Sequence, residues 1–103
     1  MDQIEDRLRD YEVDVQFPDV SGFEFIEMFM TRSEIAACEP QLTQVQRRRL
    51  EAADRRLMRD AKQFYESLRA VADLAELRET GNVLPSHWWW YLDALAEEPV
   101  AAA

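Results

Sequence analysis

The chain is poor in the residues that build cross-links and reactive centres. It has one cysteine, Cys38, and one histidine, His87. A single cysteine excludes an internal disulfide and suits a reducing compartment. One Cys and one His cannot supply the three or four ligands of a zinc site. The residue three before His87 is Leu84, so the Glu-x-x-His pair of a di-iron bundle is missing. The only glycines are Gly22 and Gly81, too few for a phosphate-cradling loop. No stretch approaches the ~20 apolar residues of a membrane span. The first residues, Met1 to Asp6, are acidic and read as no secretory signal. The expectation is a cytoplasmic protein that needs no metal, no cofactor and no membrane. Cys38, in Ile35-Ala36-Ala37-Cys38, reads as part of a small buried face rather than as a nucleophile.

What is present is apolar residue, acid and aromatic ring. Of 103 residues, 48% are hydrophobic, and the five Phe, three Tyr and three Trp suffice for one core. That composition argues against disorder and for a single domain over 1–103. The net charge is −9 and uneven. Residues 1–39 hold eleven acids and three bases, 40–62 seven bases and three acids, and 63–103 two bases and seven acids. The overall sign disfavours a general nucleic-acid binder, which needs Lys and Arg for phosphates. It favours attraction to basic surfaces.

Ile4, Leu8 and Tyr11 recur at helical spacing and predict a short acidic helix. Residues 12–17 alternate apolar and polar, a strand signal with no second strand to pair. We read them as an extended segment with Val13, Val15 and Phe17 tucked under helices, so that 1–20 is an acidic helix plus an extended piece. Ser21 and Glu24 fit a capping box opening a helix to Met30, with Glu24 and Glu27 as its only wet positions. Thr31 and Glu34 fit a second box and a restarted helix ending near Cys38, before Pro40. The 97–103 tail reads as frayed.

Thr43 and Gln46 form a third box. From there to Thr80 no Gly or Pro occurs. Leu50, Ala53, Leu57, Ala61, Phe64, Leu68, Val71 and Ala75 recur in steps of three and four, the repeat of a coiled-coil seam. This predicts one helix over about 44–79, stopped by Gly81. Its length would be roughly 54 Å, against a radius of gyration near ~13 Å for a compact domain of this size. Such a rod must bend, protrude or lie against another chain. Leu57, Phe64, Leu68 and Val71 are therefore candidate partner-binding residues.

Two further features invite function. Arg48, Arg55, Arg59 and Lys62 share one side of that helix, away from the seam, as a possible basic stripe. It would serve nucleic acid or an acidic partner, unless the acidic residues 1–39 fold back on it. Ser86 predicts a cap for a last helix, His87 to Ala96, in which Trp88, Tyr91, Leu92 and Leu95 share a core face. Trp89 and Trp90 then point elsewhere and join the candidate partner-binding residues, because exposed indoles are common hot spots.

The sequence thus predicts an all-α bundle of four to five helices dominated by one long helix. The function it suggests is non-catalytic protein–protein interaction, for instance an antitoxin-type or regulatory protein that covers a basic surface of another protein. A self-assembling structural or accessory subunit, a homo-oligomer, and nucleic-acid binding through Arg47–Lys62 are the alternatives.

Overall fold

A computed structural model describes residues 3–18 and 22–97. Among these, six α-helices and two 3₁₀ turns account for the regular structure, and there is no strand. The helices are α1 (Gln3–Asp14), α2 (Gly22–Ala37), α3 (Gln44–Arg59), α4 (Ala61–Arg69), α5 (Leu74–Thr80) and α6 (Leu92–Glu97). The expected all-α class holds, with more and shorter helices than the periodicity suggested. The proposed Ser21 cap and the tail beyond Glu97 lie outside the described residues.

The long rod does not exist as one helix. Its start is as expected: Thr43 and Gln46 cap each other reciprocally through backbone N–H groups. The chain then breaks twice. At Asp60 the backbone leaves helical geometry (φ −100°, ψ 16°), and α4 restarts at Ala61. After Arg69 the helix ends outright. Asp73 then caps α5 by accepting from the Glu76 backbone N–H at 3.3 Å. The radius of gyration is 13.5 Å and the longest extent 36 Å, so the seam closes on itself. Leu57, Phe64 and Leu68 are fully buried in the chain's own core. Val71, just past the end of α4, is exposed together with Ala75. The inference that this seam needs a second chain is therefore withdrawn for Leu57, Phe64 and Leu68.

Two other expectations change. Residues 12–14 continue α1, and Val15 and Gln16 close it in a turn (Val15 N–H to Tyr11 O, 3.1 Å). The alternation over 12–17 was a helix end. Only Val15 of its apolar residues is buried, and Val13 and Phe17 are exposed. The second capping box forms no boundary either, because α2 runs unbroken to Ala37. At Gly81 the φ is −88°, and Asn82 (φ 49°) is the left-handed residue ending α5.

α1 lies across α2 and α3, and α4 packs on α6 and α2. Tyr11 from α1, Arg32 from α2 and Asp54 from α3 meet in a polar clamp inside the core. Arg32 donates through Nε and Nη2 to both Asp54 oxygens (2.9 and 3.0 Å), and the Tyr11 hydroxyl donates to Asp54 Oδ1 (2.6 Å). Glu39 accepts a weaker bond from Arg32 Nη2 (3.3 Å). A bidentate fork compensates a buried charge well, although Arg32 Nη1 finds no acceptor among the described residues. Burial, and then the Asp54 carboxylate, push the Tyr11 phenol far above its ordinary range.

Candidate protein interface

The aromatic triplet is arranged opposite to the expected order. His87 offers no side-chain cap, and residues Trp88–Tyr91 form a 3₁₀ turn rather than the first turn of an α-helix. At three residues per turn the side chains redistribute. Trp89 (2% exposed) and Trp90 (9%) point inward, whereas Trp88 and Tyr91 are half-buried. Trp89 and Trp90 are thus not free to anchor a partner.

Both indoles converge on one hydroxyl. Ser33 Oγ accepts from Trp89 Nε1 and Trp90 Nε1, each at 3.0 Å, and Phe29 O also accepts from Trp89 at 3.1 Å. His87 Nδ1 lies 3.3 Å from the same Oγ. Two donors occupy the two lone pairs of Ser33, so its own hydrogen is left for Nδ1. A hydroxyl engaged in this way holds rings in place and is badly placed to attack a substrate. The His87 ring stacks on Trp89 at 4.6 Å, and the Arg32 guanidinium carbon is 4.2 Å from the Trp89 centroid.

Beside this hub, α2, α5 and the 81–87 loop enclose a groove of about 570 Å³. Ile26, Met30, Leu77, Val83, Leu84 and the Trp90 edge form its walls, with Ser33, Glu34 and His87 at one side. Met30 (53% exposed) and Leu84 stand open to solvent there. The arginine of α5 fixes the far wall: Arg78 donates to both oxygens of Asp93 (2.6 and 3.1 Å) and to the Trp90 carbonyl (2.9 Å). The guanidinium beside it holds the Asp93 carboxyl below the usual range.

The groove is one end of a longer surface. Along α2, Phe23, Glu27, Met30 and Glu34 recur every three to four residues and all are exposed. Phe23 is 63% exposed. The sequence reading had Glu24 and Glu27 as the only wet positions of this helix, yet Phe23 and Met30 stand in solvent beside them. At the other end α1 adds the exposed Val13 and Phe17, with Asp10 and Asp14. Asp14 is raised to about 6, first by partial burial and then by Asp10, Glu24 and Glu27. None of these four carboxylates forms an ion pair among the described residues. Large apolar side chains in an acid setting, continuous with a groove, have no counterpart in the sequence pattern, because Phe23 and Met30 each read as core when only their own helix is considered.

The basic residues divide into two sets. Arg49 is clamped to Glu5 (2.8 Å) and Glu12 (2.6 Å), Arg7 pairs with Glu34, and Arg47 donates to the Glu39 carbonyl (2.9 Å). Here the acidic residues do fold back, and Arg49 and then Gln46 hold the Glu5 carboxyl below its usual range. The stripe itself is not what they cover. Arg48, Arg55, Arg59 and Lys62 are all exposed, and only Arg59 has an acid partner among the described residues, its neighbour Asp60 (3.0 Å).

Among the described residues no group of three or more His, Cys, Asp or Glu is placed to hold a metal ion, and no helix is long and apolar enough to cross a membrane. No protein-family model matches the sequence, and neither a curated protein nor a solved structure shows significant similarity to it.

Proposed function

We propose that this chain acts without catalysis, by binding another protein through the outward face of α2. The observation that carries this reading is the row Phe23, Glu27, Met30 and Glu34, exposed along one helix and opening into an apolar groove. Isolated exposed apolar residues are ordinary, but a contiguous apolar patch with a polar rim marks an interaction site. The rim is acidic, so the partner that fits carries apolar anchors flanked by Lys or Arg. A neutralising or regulatory protein of antitoxin type, covering a basic surface of its target in the cytoplasm, is the biological role these features suit.

The test is paired capture from the native host with the intact chain and with a Phe23→Ser, Glu27→Lys, Met30→Ser variant. The intact chain should retain a basic protein in stoichiometric amount, and the variant should lose it. Equal retention by both would contradict the assignment of this face. One observation favours a second reading: Arg48, Arg55 and Lys62 stand in solvent without an acid partner among the described residues, as a nucleic-acid stripe would. Retardation of RNA or DNA at low salt, lost on Arg48→Glu with Arg55→Glu, would support it.

A further inference from the structure

Some charges pair within this molecule, and two surfaces carry clusters of unpaired charge of one sign. Arg49, Arg32, Arg7 and Arg78 each pair with a carboxylate. Asp10, Asp14, Glu24 and Glu27 form no ion pair among the described residues, and neither do Arg48, Arg55 and Lys62. The first set lies on α1 and α2 around the exposed Val13, Phe17 and Phe23. The second lies on α3 and α4, with the exposed Val45 and Met58 beside it. At ~100° per residue Val45, Arg48 and Arg55 fall on the side of α3 opposite its buried Leu50, Ala53 and Leu57. Glu51 lies within that stripe, and Glu66 stands one turn after Lys62 on α4. Each surface therefore pairs exposed apolar side chains with charges outside any ion pair among the described residues, acids outnumbering bases on one and bases outnumbering acids on the other.

We infer that the occupant of the acidic α1/α2 face is the basic α3/α4 face of a second copy of this chain. The inference rests on reading the α1/α2 face as a binding surface and gives that face its occupant when the basic target is absent. Such contact is head-to-tail: the patch on one copy meets a different patch on the next. It generates a ring or an open chain, or a two-fold pair in which both contacts form at once. Each contact sets Arg48, Arg55 or Lys62 among four carboxylates that lack a cation, and lays Val45 and Met58 against Val13, Phe17 and Phe23. The net charge of −9 opposes assembly at long range. Complementary patches at contact distance outweigh it, because at moderate ionic strength the general repulsion is screened within about 10 Å.

Purified full-length chain decides the matter, by sedimentation velocity up to hundreds of micromolar. The mass should climb above the 12.1 kDa of one copy at about 100 mM NaCl, and fall back toward one copy near about 500 mM NaCl. Arg48→Glu with Arg55→Glu should abolish the rise, and so should Glu24→Arg with Glu27→Arg. All four positions are exposed, and unchanged far-ultraviolet circular dichroism verifies that each variant is folded. Mixing the two variants restores one acidic and one basic face to each contact, so the mixture should associate where neither alone does. A wild-type chain that stays a monomer throughout overturns the inference, as does association that survives either reversal or a mixture that stays monomeric. Monomeric wild type would leave the α2-face reading standing, since paired capture tests that independently of self-association.

Discussion

Ser33 illustrates how much one side chain can organise. Its hydroxyl is the shared acceptor of two tryptophans from a turn more than fifty residues away in sequence, and it also faces His87. Ser33→Ala leaves the Trp90 N–H with no acceptor, while Trp89 keeps Phe29 O. An unsatisfied buried donor costs about 1–3 kcal/mol. Chemical denaturation should show a loss of that size, accompanied by a shift in tryptophan emission. Asp14 carries an effect of opposite sign. Its folded pKa of about 6 lies above the ordinary 3.8 of an aspartate, so the folded state binds the extra proton. Its ionisation destabilises the fold above about pH 6, and that penalty vanishes as pH falls toward 4. Wild-type stability should therefore rise between pH 7 and pH 5, by about 1 kcal/mol after allowance for solvent screening. Asp14→Asn should be the more stable protein at pH 7 and should lack this rise. The paired carboxyls Glu5 and Asp93, held low, lose their contribution only at more acid pH. A wild-type curve falling from pH 7 to pH 5 would contradict the crowding seen at Asp14.

The helices carry the clearest record of what a sequence conveys. The reciprocal Thr43–Gln46 cap was legible because its two residue types and their spacing act locally. The division of 44–79 into three helices was not, because apolar periodicity reports which side of a helix is buried and is blind to a change of axis. A local sign of the second break did exist: Asp73 and Glu76 have the spacing of a cap, and Asp73 accepts from the Glu76 N–H. The break at Asp60 has no such sign. The expected extended segment over 12–17 failed for a related reason, since alternating apolar and polar residues at the end of a helix imitate extended chain. Close packing between elements was equally hidden. A Cβ at Gly22 would sit 2.6 Å from the Ser67 carbonyl and 2.9 Å from the Leu68 Cα, both backbone atoms of α4. Alanine normally favours a helix over glycine by about 1 kcal/mol. Here Gly22→Ala should instead lower stability by about 1–3 kcal/mol, as overpacking does, and thermal unfolding would reveal the sign. The clamp of α1, α2 and α3 makes a stronger demand. Asp54→Ala strands a buried guanidinium and a phenol, and should cost about 3–5 kcal/mol in urea unfolding.

For the molecule as a whole, the composition indicated an acidic all-α chain, and the mistaken step was to give its spare apolar surface to the long seam and to Trp89 and Trp90. With the rod interrupted at Asp60 and ended after Arg69, Leu57, Phe64 and Leu68 are enclosed by the chain's own helices, and the 3₁₀ turn encloses the indoles. What remains outside is Phe23 and Met30 on α2, with Val13, Phe17 and Leu84 at the two ends. These residues gave no usable signal because each looks like core when only its own helix is considered. Their exposure emerges from which side of α2 is covered by α1 and α4. The most direct measurement places a photoreactive side chain at Met30 in one preparation and at Ala94, exposed on α6 and outside both charged faces, in another, and illuminates both in the presence of host extract. A discrete adduct with a basic protein or a second copy should form from position 30 and not from position 94. The same adduct from both positions, or from position 94 alone, would contradict the α2 face as the site of binding.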